Sequence, residues 1–331
     1  MSGPSPAVAE IRVAVRAALT ARAALTAEAA GRTVLVACSG GADSVALAAA
    51  AAFVAPRLGM RAGLVTVDHG LQDSSSERAG AVAAWARTIG LDPVESVAVH
   101  VPEDGTGPEA AARSARYGAL VDTAREHGAV GVLLGHTMED QAETCLLALA
   151  RGAGPRGLAG MPAVRELDGV GLLRPLLGMR RATTRAAAIE SGFIPWDDPH
   201  NGDPRYARPR VRHELLPALI DALGDGVVGN LAQTARQLAM DADYLDRVAT
   251  DETSLDVRVL AGLHPAIRGR VLHRFALDAG AVASALGHRH VDALDALITR
   301  WHGQGPVWLP GGVAVARVEG RLQKHGGKIP P

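Results

Sequence analysis

The chain has 331 residues, of which 48% are hydrophobic and 21% charged, and its formal net charge at pH 7 is −1. This composition argues against a disordered protein, and at about 150 residues per domain the length indicates roughly two domains. The charge excludes a chain that is basic throughout, so any nucleic-acid binding must use local patches of arginine, because Lys324 and Lys328 are the only lysines.

Two cysteines, Cys38 and Cys145, lie far apart in the sequence and form no CxxC pair. This argues against a disulfide scaffold and against a zinc or iron–sulfur site built from this chain alone. The longest fully apolar run, 45–55, is too short to span a bilayer, and the N-terminus lacks the apolar block of a signal peptide. We therefore expect a cytoplasmic protein without a membrane partner.

From the N-terminus, an amphipathic helix is predicted over 7–29, with Ile11, Val15 and Leu19 on one face. Four short, valine-rich apolar runs then alternate with longer helix-like segments. The runs span 33–38, 62–69, 93–101 and 129–136, and the helical segments span 43–55, 75–90, 108–127 and 139–150. This alternation predicts an α/β fold with a doubly wound, mostly parallel sheet. All four runs end in polar or glycine-rich sequence, so four polar clusters should meet at the ligand-binding edge of the sheet.

A glycine-rich segment follows, in which Gly152, Gly154 and Gly157 match the GxGxxG spacing. A dinucleotide site requires that spacing between a strand and a helix, whereas this segment follows a helix-like one, so we predict a loop. A hairpin is predicted around Asp168-Gly169, followed by a helix near 180–191.

From about residue 218 the pattern changes to helices without intervening strands. These helices are predicted over 227–250, 265–279 and 288–301, before a short β-like tail. We therefore expect one domain over 1–217 and a smaller, mainly helical domain over 218–331.

The stretch SGGADS, after the first apolar run, predicts a phosphate-binding loop. Gly40 and Gly41 let the backbone turn tightly, and the next helix points its N-terminal amides into the loop. The hydroxyls of Ser39 and Ser44 add donors. Asp43 suits such a loop if Mg²⁺ bridges it to the phosphates. The alternative is an ordinary strand-to-helix turn that Asp43 or Ser39 caps.

Carboxylates cluster in GHTMEDQAET, after the fourth run. Glu139, Asp140 and Glu143 fall at a predicted helix start, where the helix dipole favours negative charge. The spacing of three places Asp140 and Glu143 on one face, where they could share a metal ion opposite the phosphate loop. The alternative is an acidic helix start with no further role.

Together these segments resemble the tRNA(Ile)-lysidine synthase family of the PP-loop N-type ATP pyrophosphatases. SGGADS is similar to the PP-loop signature SGGxDS. The other matching blocks are VDHGLQ from 67, EAAARSARY from 109, GHTMEDQAETCLLALARGAGPRGLAGM from 135, RPLL from 174 and DDPHNGDPRYARPRVRHELLPAL from 197. They follow the family order and cover most of 34–219, and the region beyond resembles the family's first C-terminal domain.

Three positions depart from the family pattern. Glu139 replaces the first of two aspartates, so a carboxylate is kept and only the metal geometry is affected. Gln72 replaces an arginine and Pro209 replaces an asparagine. We therefore carry over neither a cationic contact at 72 nor an amide at 209.

The resemblance implies a ligase that uses ATP to adenylate the C2 oxygen of the wobble cytidine in a CAU-anticodon isoleucine tRNA. The ε-amine of L-lysine would then displace AMP and give lysidine. The resemblance implies a catalytic domain over 1–217 and tRNA binding by 218–331.

The resemblance also implies a set of site residues. The catalytic residues would be Asp43, Asp140, Arg113 and Arg208, with Arg116 beside Arg113 near the reacting phosphates. Mg²⁺ would be bound by Asp43 and Asp140. The tRNA would be bound by Arg205, Arg210 and Arg212. The ATP-binding residues would be Ser39, Gly40, Gly41, Ala42, Asp43, Ser44, His69, Gly135 and His136.

Two other interpretations stay open. One is a different PP-loop enzyme, such as a tRNA thiolase or an amidotransferase-type synthetase, although thiolation usually relies on cysteines that this chain lacks and no glutaminase segment is visible. The other is a non-enzymatic nucleotide-binding module, which would not need the arginine-rich block. The oligomeric state also stays open, a homodimer included.

Overall fold

The computed structural model describes residues 3–25, 31–68, 75–100, 108–196, 205–283 and 285–326. The chain forms two compact units, Met1–Leu238 and Ala239–Pro331. The division between them falls within a long helix, and the domain boundary near residue 217 stays a prediction.

Within the described residues, the first unit combines a six-stranded sheet with ten α-helices that begin in it. The strands are β1 (Thr33–Ala37), β2 (Arg61–Asp68), β3 (Val94–Ala98), β4 (Val132–Leu133), β5 (Val164–Leu167) and β6 (Val170–Leu173). The helices are α1 (Pro6–Leu25), α2 (Ala42–Val54), α3 (Ser75–Thr88), α4 (Pro108–Glu126), α5 (Met138–Ala150), α6 (Pro155–Leu158), α7 (Arg181–Glu190), α8 (Ala207–Arg210), α9 (Leu216–Leu223) and α10 (Gly226–Asp251). A π-helical turn, Val211–Leu215, joins α8 to α9.

The strand order is β3-β2-β1-β4-β6-β5, and every neighbouring pair is parallel except β5 and β6. The predicted doubly wound, mostly parallel sheet is therefore confirmed. The chain runs outward from β1 to β3 and then returns to β4 on the other side of β1. The loops that follow β1 and β4 therefore diverge, and a crevice opens between them, where sheets of this kind bind ligands.

The central strand shows why the apolar runs form this sheet. Val34, Leu35 and Val36 are completely buried, as expected for a strand covered on both faces. Val34 and Val36 pack in a core with α1, α2 and α7, whereas Leu35 packs in a second core with α4. Alternate side chains of one strand thus fix helices on opposite faces of the sheet.

The structure also tests the predictions for two glycine-containing segments. Asp168 and Gly169 have φ values of 48° and 81° and form the predicted hairpin turn between β5 and β6. The GxGxxG segment follows α5 and contains the short helix α6, so it forms no strand-to-helix turn, as predicted. The side-chain amide of the buried Gln141 donates to and accepts from the backbone of Met161, which anchors this segment.

As far as the second unit is described, it contains the end of α10, three further helices and a small antiparallel sheet. The helices are α11 (Val257–Gly262), α12 (Pro265–Asp278) and α13 (His288–Thr299), and the strands are β7 (Val307–Leu309), β8 (Val313–Val318) and β9 (Arg321–His325). Its core includes Leu260, Leu272, Leu294 and Val315. The three predicted helices and the β-like tail are confirmed, whereas the six-residue α11 was not predicted.

Among the described residues, no single helix has the length and apolarity of a membrane span. Two consecutive helical segments with a bend between them, Ala207–Leu223 and Gly226–Asp251, meet the length and apolarity criteria only when they are taken together.

Candidate active site

The SGGADS stretch joins the end of β1 to the start of α2. Gly40 has a φ of 85°, which favours glycine, and a Cβ there would lie 3.0 Å from the side chain of Val82. Gly41 is the N-cap of α2, and no side chain of a described residue caps that helix. The first amides of α2 are therefore left for a ligand, and neither Ser39 nor Asp43 serves as a cap.

A cavity of about 320 Å³ opens at this point, between the carboxyl ends of β1 and β4. Its lining comes from the loop after β1, the end of β2, helix α4, the segment between β4 and α5, helix α7 and the π-helical turn. The residues are Ala37, Cys38, Ser39, Gly41, Ala42, Asp43, Ser44, Val65, Val67, Arg116, Tyr117, Leu120, Leu134, Gly135, His136, Arg181, Arg185, Trp196 and Arg212. Gly135 is required for the close approach of the two loops, because a Cβ there would lie 3.1 Å from the carbonyl carbon of Asp43.

Asp43 projects from the first turn of α2 and keeps only 24% of its side chain exposed. Its Oδ1 accepts a hydrogen bond from the hydroxyl of Thr184, and its Oδ2 lies 3.8 Å from Nε of Arg181. Burial raises the pKa of Asp43 to about 6, although Thr184 and Arg181 act in the opposite direction. Thr184 and Arg181 therefore only partly offset the cost of burying the charge of Asp43.

The negative charge of Asp140 is offset much more fully by hydrogen-bond donors. Its Oδ2 accepts hydrogen bonds from the backbone N–H and the hydroxyl of Thr137, at 2.8 and 3.1 Å, in a capping box at the start of α5. Its Oδ1 accepts from Arg181 at 3.1 Å and from Arg212 at 2.8 Å. Burial alone would raise the pKa of Asp140, but the two arginines and the Thr137 N–H outweigh it and lower that pKa.

Glu143 is completely buried one turn further along α5. Arg212 binds it through Nε to Oε1 at 2.7 Å and Nη2 to Oε2 at 3.1 Å. Arg208 places Nη1 3.7 Å from Oε2 and donates from Nη2 to Thr144 at 3.2 Å. The acidic face of α5 and the arginine-rich segment are therefore paired with each other.

His136 follows β4 and lines the cavity, and its Nδ1 is buried without a hydrogen-bond partner in the described part of the chain. Burial lowers the pKa of His136 to about 4; Asp140 opposes this effect, while Arg174, Arg113 and Arg116 reinforce it. The imidazole is therefore neutral at physiological pH.

The structure brings most of the predicted site residues together. The cavity is lined by the phosphate loop other than Gly40 and by Gly135, His136, Arg116 and Arg212. Asp140 contacts Arg212 of this lining, and Arg208 contacts Thr144. Arg113 contacts Tyr117, which lines the cavity. Arg205 and Arg210 do not line the cavity, and His69 and Gln72 lie outside the described residues.

Two residues of α7 that complete the site, Arg181 and Thr184, were not predicted. Both precede the arginine-rich block in the segment RRATTR, where only a helix was predicted. The pairing of Glu143 with arginine was not predicted either, because the spacing of the carboxylates carries no information about their partners.

Comparison with known proteins gives matches along both units. Residues 16–219 match the family model of the PP-loop domain, and residues 255–323 match that of the TilS substrate binding domain. The tRNA(Ile)-lysidine synthase of Salinispora arenicola (strain CNS-205) is 60% identical over 330 residues, covering 97% of this chain and 97% of that protein. The proteins of the same name from Thermobifida fusca (strain YX) and Streptomyces coelicolor are 56% and 53% identical, each over 97% of this chain and 98% of their own.

Among solved structures, the U34-tRNA thiolase NcsA from Methanococcus maripaludis with its 4Fe-4S cluster is similar, with a TM-score of 0.56. The match covers 70% of this chain and 79% of that chain at 17% identity, which indicates a shared fold only.

Proposed function

Because the chain belongs to the tRNA(Ile)-lysidine synthase family, we propose that this cavity carries out both steps of lysidine formation on tRNA(Ile). The protein is an ATP-dependent ligase, and its PP-loop domain binds ATP. One observation carries the assignment of the cavity: the uncapped N-terminus of α2 and Arg212 of the arginine-rich block line the same crevice.

In the first step the C2 oxygen of the wobble cytidine attacks the α-phosphorus of ATP. A bond forms between that oxygen and the phosphorus, and the bond to the β-phosphate breaks, so pyrophosphate leaves. This chemistry depends on positioning and charge neutralisation. The amides at the start of α2 and the hydroxyls of Ser39 and Ser44 would bind the phosphates, and Arg116 supplies positive charge at the cavity wall.

In the second step the ε-amine of free lysine attacks C2 of the adenylated base. The bond between C2 and its oxygen breaks, and AMP leaves with that oxygen. An anticodon base suits both steps, because a single-stranded base can be splayed into a pocket without breaking a base pair.

Mg²⁺ would neutralise charge on the ATP phosphates, and the two carboxylates expected to bind it fit this role unequally. Asp43 has one hydroxyl donor and one guanidinium at 3.8 Å, so it retains oxygen lone pairs for a cation. Both oxygens of Asp140 already accept two hydrogen bonds each, so it would bind a cation only after Arg181 or Arg212 moved away. We therefore assign the metal to Asp43 and keep the role of Asp140 as a prediction that requires this movement.

The tRNA would contact the arginine-rich block and the second unit. Arg205, Arg208, Arg210 and Arg212 fall within eight positions, and Arg205 is exposed. Arg208 and Arg212 both contact Glu143, and we infer that they would lie near the reacting groups. Residues 255–323, which match the substrate binding domain, would bind the rest of the tRNA.

A thiolase is the second candidate, because the solved structure of similar fold is one. Cys38 and Cys145 are both buried, and burial raises the pKa of both thiols, which disfavours their reactive thiolate forms. The cysteine chemistry of this chain therefore favours the ligase.

The test is incubation with ATP, labelled lysine and a transcript of the CAU-anticodon isoleucine tRNA. We expect label in the RNA and one AMP released for each lysine incorporated. A transcript whose wobble cytidine is replaced by guanosine is the matched control and should stay unlabelled. Absence of label in the cytidine transcript, with ATP binding intact, would contradict the proposed function.

A further inference from the structure

Arg181, the first residue of α7, contacts four acidic residues around the cavity. Its guanidinium places Nε 3.8 Å from Oδ2 of Asp43 and Nη2 3.1 Å from Oδ1 of Asp140. The same Nη2 lies 3.4 Å from Oε1 of Glu143. The backbone N–H of Arg181 donates to Oε2 of Glu139 at 2.9 Å, which fixes the start of α7 against that of α5. One arginine is therefore the counter-ion of carboxylates from both α2 and α5.

The guanidinium of Arg181 lies between the two carboxylates that are expected to bind Mg²⁺. It reaches Asp43 with one nitrogen and Asp140 with another, so a cation that bridges these carboxylates competes with it for the same oxygens. Two cations that share carboxylate oxygens also repel each other. Arg181 keeps 31% of its side chain exposed and lines the cavity, so its guanidinium can turn into that cavity without disturbing the core.

Arg212 supports the site when Arg181 turns away. It donates to Oδ1 of Asp140 at 2.8 Å and to Oε1 of Glu143 at 2.7 Å. Asp140 and the completely buried Glu143 therefore keep a guanidinium partner, and one of the two hydrogen bonds to Oδ1 of Asp140 is released. Of the two arginines, Arg181 is thus the one that can leave with the smaller cost.

The nucleotide offers Arg181 a new partner. Mg²⁺ sites of this kind use one or two carboxylates together with phosphate oxygens of the substrate. The described residues fit that pattern, since they contain no group of three or more histidine, cysteine, aspartate or glutamate side chains arranged to bind a metal ion. Arg181 lines the same cavity as the phosphate loop, and a phosphate oxygen binds a guanidinium as strongly as a carboxylate does.

We propose that Arg181 is an exchangeable counter-ion, which occupies Asp43 and Asp140 until Mg²⁺ and ATP enter together and then moves to a phosphate group. The proposal deepens the proposed function and rests on it, because that function assigns the metal to Asp43. Arg181 acts here as a positioning residue. Its consequence is that the metal alone binds weakly, whereas the metal and the nucleotide strengthen each other's binding.

The first test titrates the full chain with Mn²⁺ alone, followed by electron paramagnetic resonance. Arg181→Met removes the charge, and we expect it to bind Mn²⁺ at least about tenfold more tightly than the wild type. Arg181→Lys keeps the charge and should stay close to the wild type. Arg165→Met, at an exposed position on β5, removes the same charge elsewhere and is the matched control.

Two outcomes of this titration would overturn the proposal. One is Mn²⁺ binding by Arg181→Met that is equal to or weaker than that of the wild type, which is what a purely structural role predicts. The other is a gain that survives when Asp43→Asn is added to Arg181→Met, since the metal would then lie elsewhere. Thermal denaturation gives a second readout, because Mn²⁺ should raise the Tm of Arg181→Met more than that of the wild type.

A second experiment needs only charge-conserving variants and therefore decides if Arg181→Met does not fold. The full chain is labelled with ¹⁵N-arginine, and Arg181→Lys assigns the Nε–H signal of Arg181. We expect Mg²⁺ and ATP together to move this signal and Mg²⁺ alone to leave it in place. No movement with both ligands, or the same movement with Mg²⁺ alone, would contradict the exchange.

The two proposals fail differently, because neither metal experiment uses RNA or lysine. A wild-type protein that adds no lysine to RNA contradicts the proposed function, whereas the exchange at Arg181 is still measurable. A wild-type protein that makes lysidine, with Mn²⁺ binding unchanged in Arg181→Met, contradicts the exchangeable counter-ion alone.

Discussion

Replacing Asp43 by asparagine should abolish lysidine formation and yet stabilise the unliganded protein. The carboxylate is partly buried at the mouth of the phosphate loop, and burial raises its pKa from 3.8 to about 6. Folding therefore favours the protonated form. A carboxyl group whose pKa is higher in the folded state contributes stability below about pH 3.8 and loses it as the pH rises through 6.

The size of the effect follows from the same values. At about 1.4 kcal/mol per pH unit, the ionised carboxylate costs at most about 3 kcal/mol of unfolding free energy above pH 6. Because 24% of the side chain is exposed, solvent screening reduces this cost, and we expect about 1 to 2 kcal/mol. Asparagine keeps an oxygen that accepts the hydrogen bond from Thr184. The expected rise in Tm is roughly 2 to 8 °C.

Thermal and urea denaturation at pH 7.5 and 4.5 would check this prediction, with Asp122→Asn, at a position whose side chain is 73% exposed, as the control. The gain of Asp43→Asn should shrink to about a third at pH 4.5, because the folded wild type is then mostly protonated. A lower Tm than wild type at pH 7.5, or an equal gain at both pH values, would refute the reasoning. Loss of labelled-lysine incorporation is measured on the same preparations.

Asp140→Asn should have the opposite effect on stability and cost about 2 to 4 kcal/mol, because Asp140 completes the capping box of α5 and neutralises arginines. Urea denaturation measures this cost, and an unchanged midpoint would contradict it. Arg205→Ala and Arg212→Ala should each reduce the steepness of log K for tRNA binding against log salt concentration by about 0.9 if the side chain contacts the RNA backbone. A slope equal to that of the wild type would show that the residue does not contact the backbone. Arg212→Ala should also lower Tm, since it leaves Glu143 partly unpaired, whereas Arg205→Ala should not. Truncation after Asp251 should weaken tRNA binding more than ATP binding, and calorimetry showing equal losses would count against a tRNA-binding second unit.

The sheet was predictable because each of its central strands is buried on both faces. Such strands appear as short apolar runs, and Val34 to Val36 show the pattern clearly. The rule that ligands bind at the carboxyl edge then predicts that SGGADS and GHTMED lie together. These two segments do line one cavity.

The partners of the charged side chains were not predictable in the same way. The family resemblance implied a metal for Asp140 and tRNA for Arg212, but in the structure these two side chains bind each other at 2.8 Å. Nothing in the spacing of either segment specifies the distance between them. Arg181 and Thr184 were missed for the same reason, since a helix prediction does not say what its polar face contacts.

The position of β1 at the centre of the sheet has a consequence for synthesis on the ribosome. Val36 pairs with Leu64 on one side and with Leu133 on the other. A nascent chain that has not yet reached β4 can form only the first of these pairs, so one edge of its most apolar strand stays open. Open edges of this kind recruit other chains. Fragments that end before Val132 should therefore precipitate or bind chaperones, and adding the segment through β6 should restore solubility.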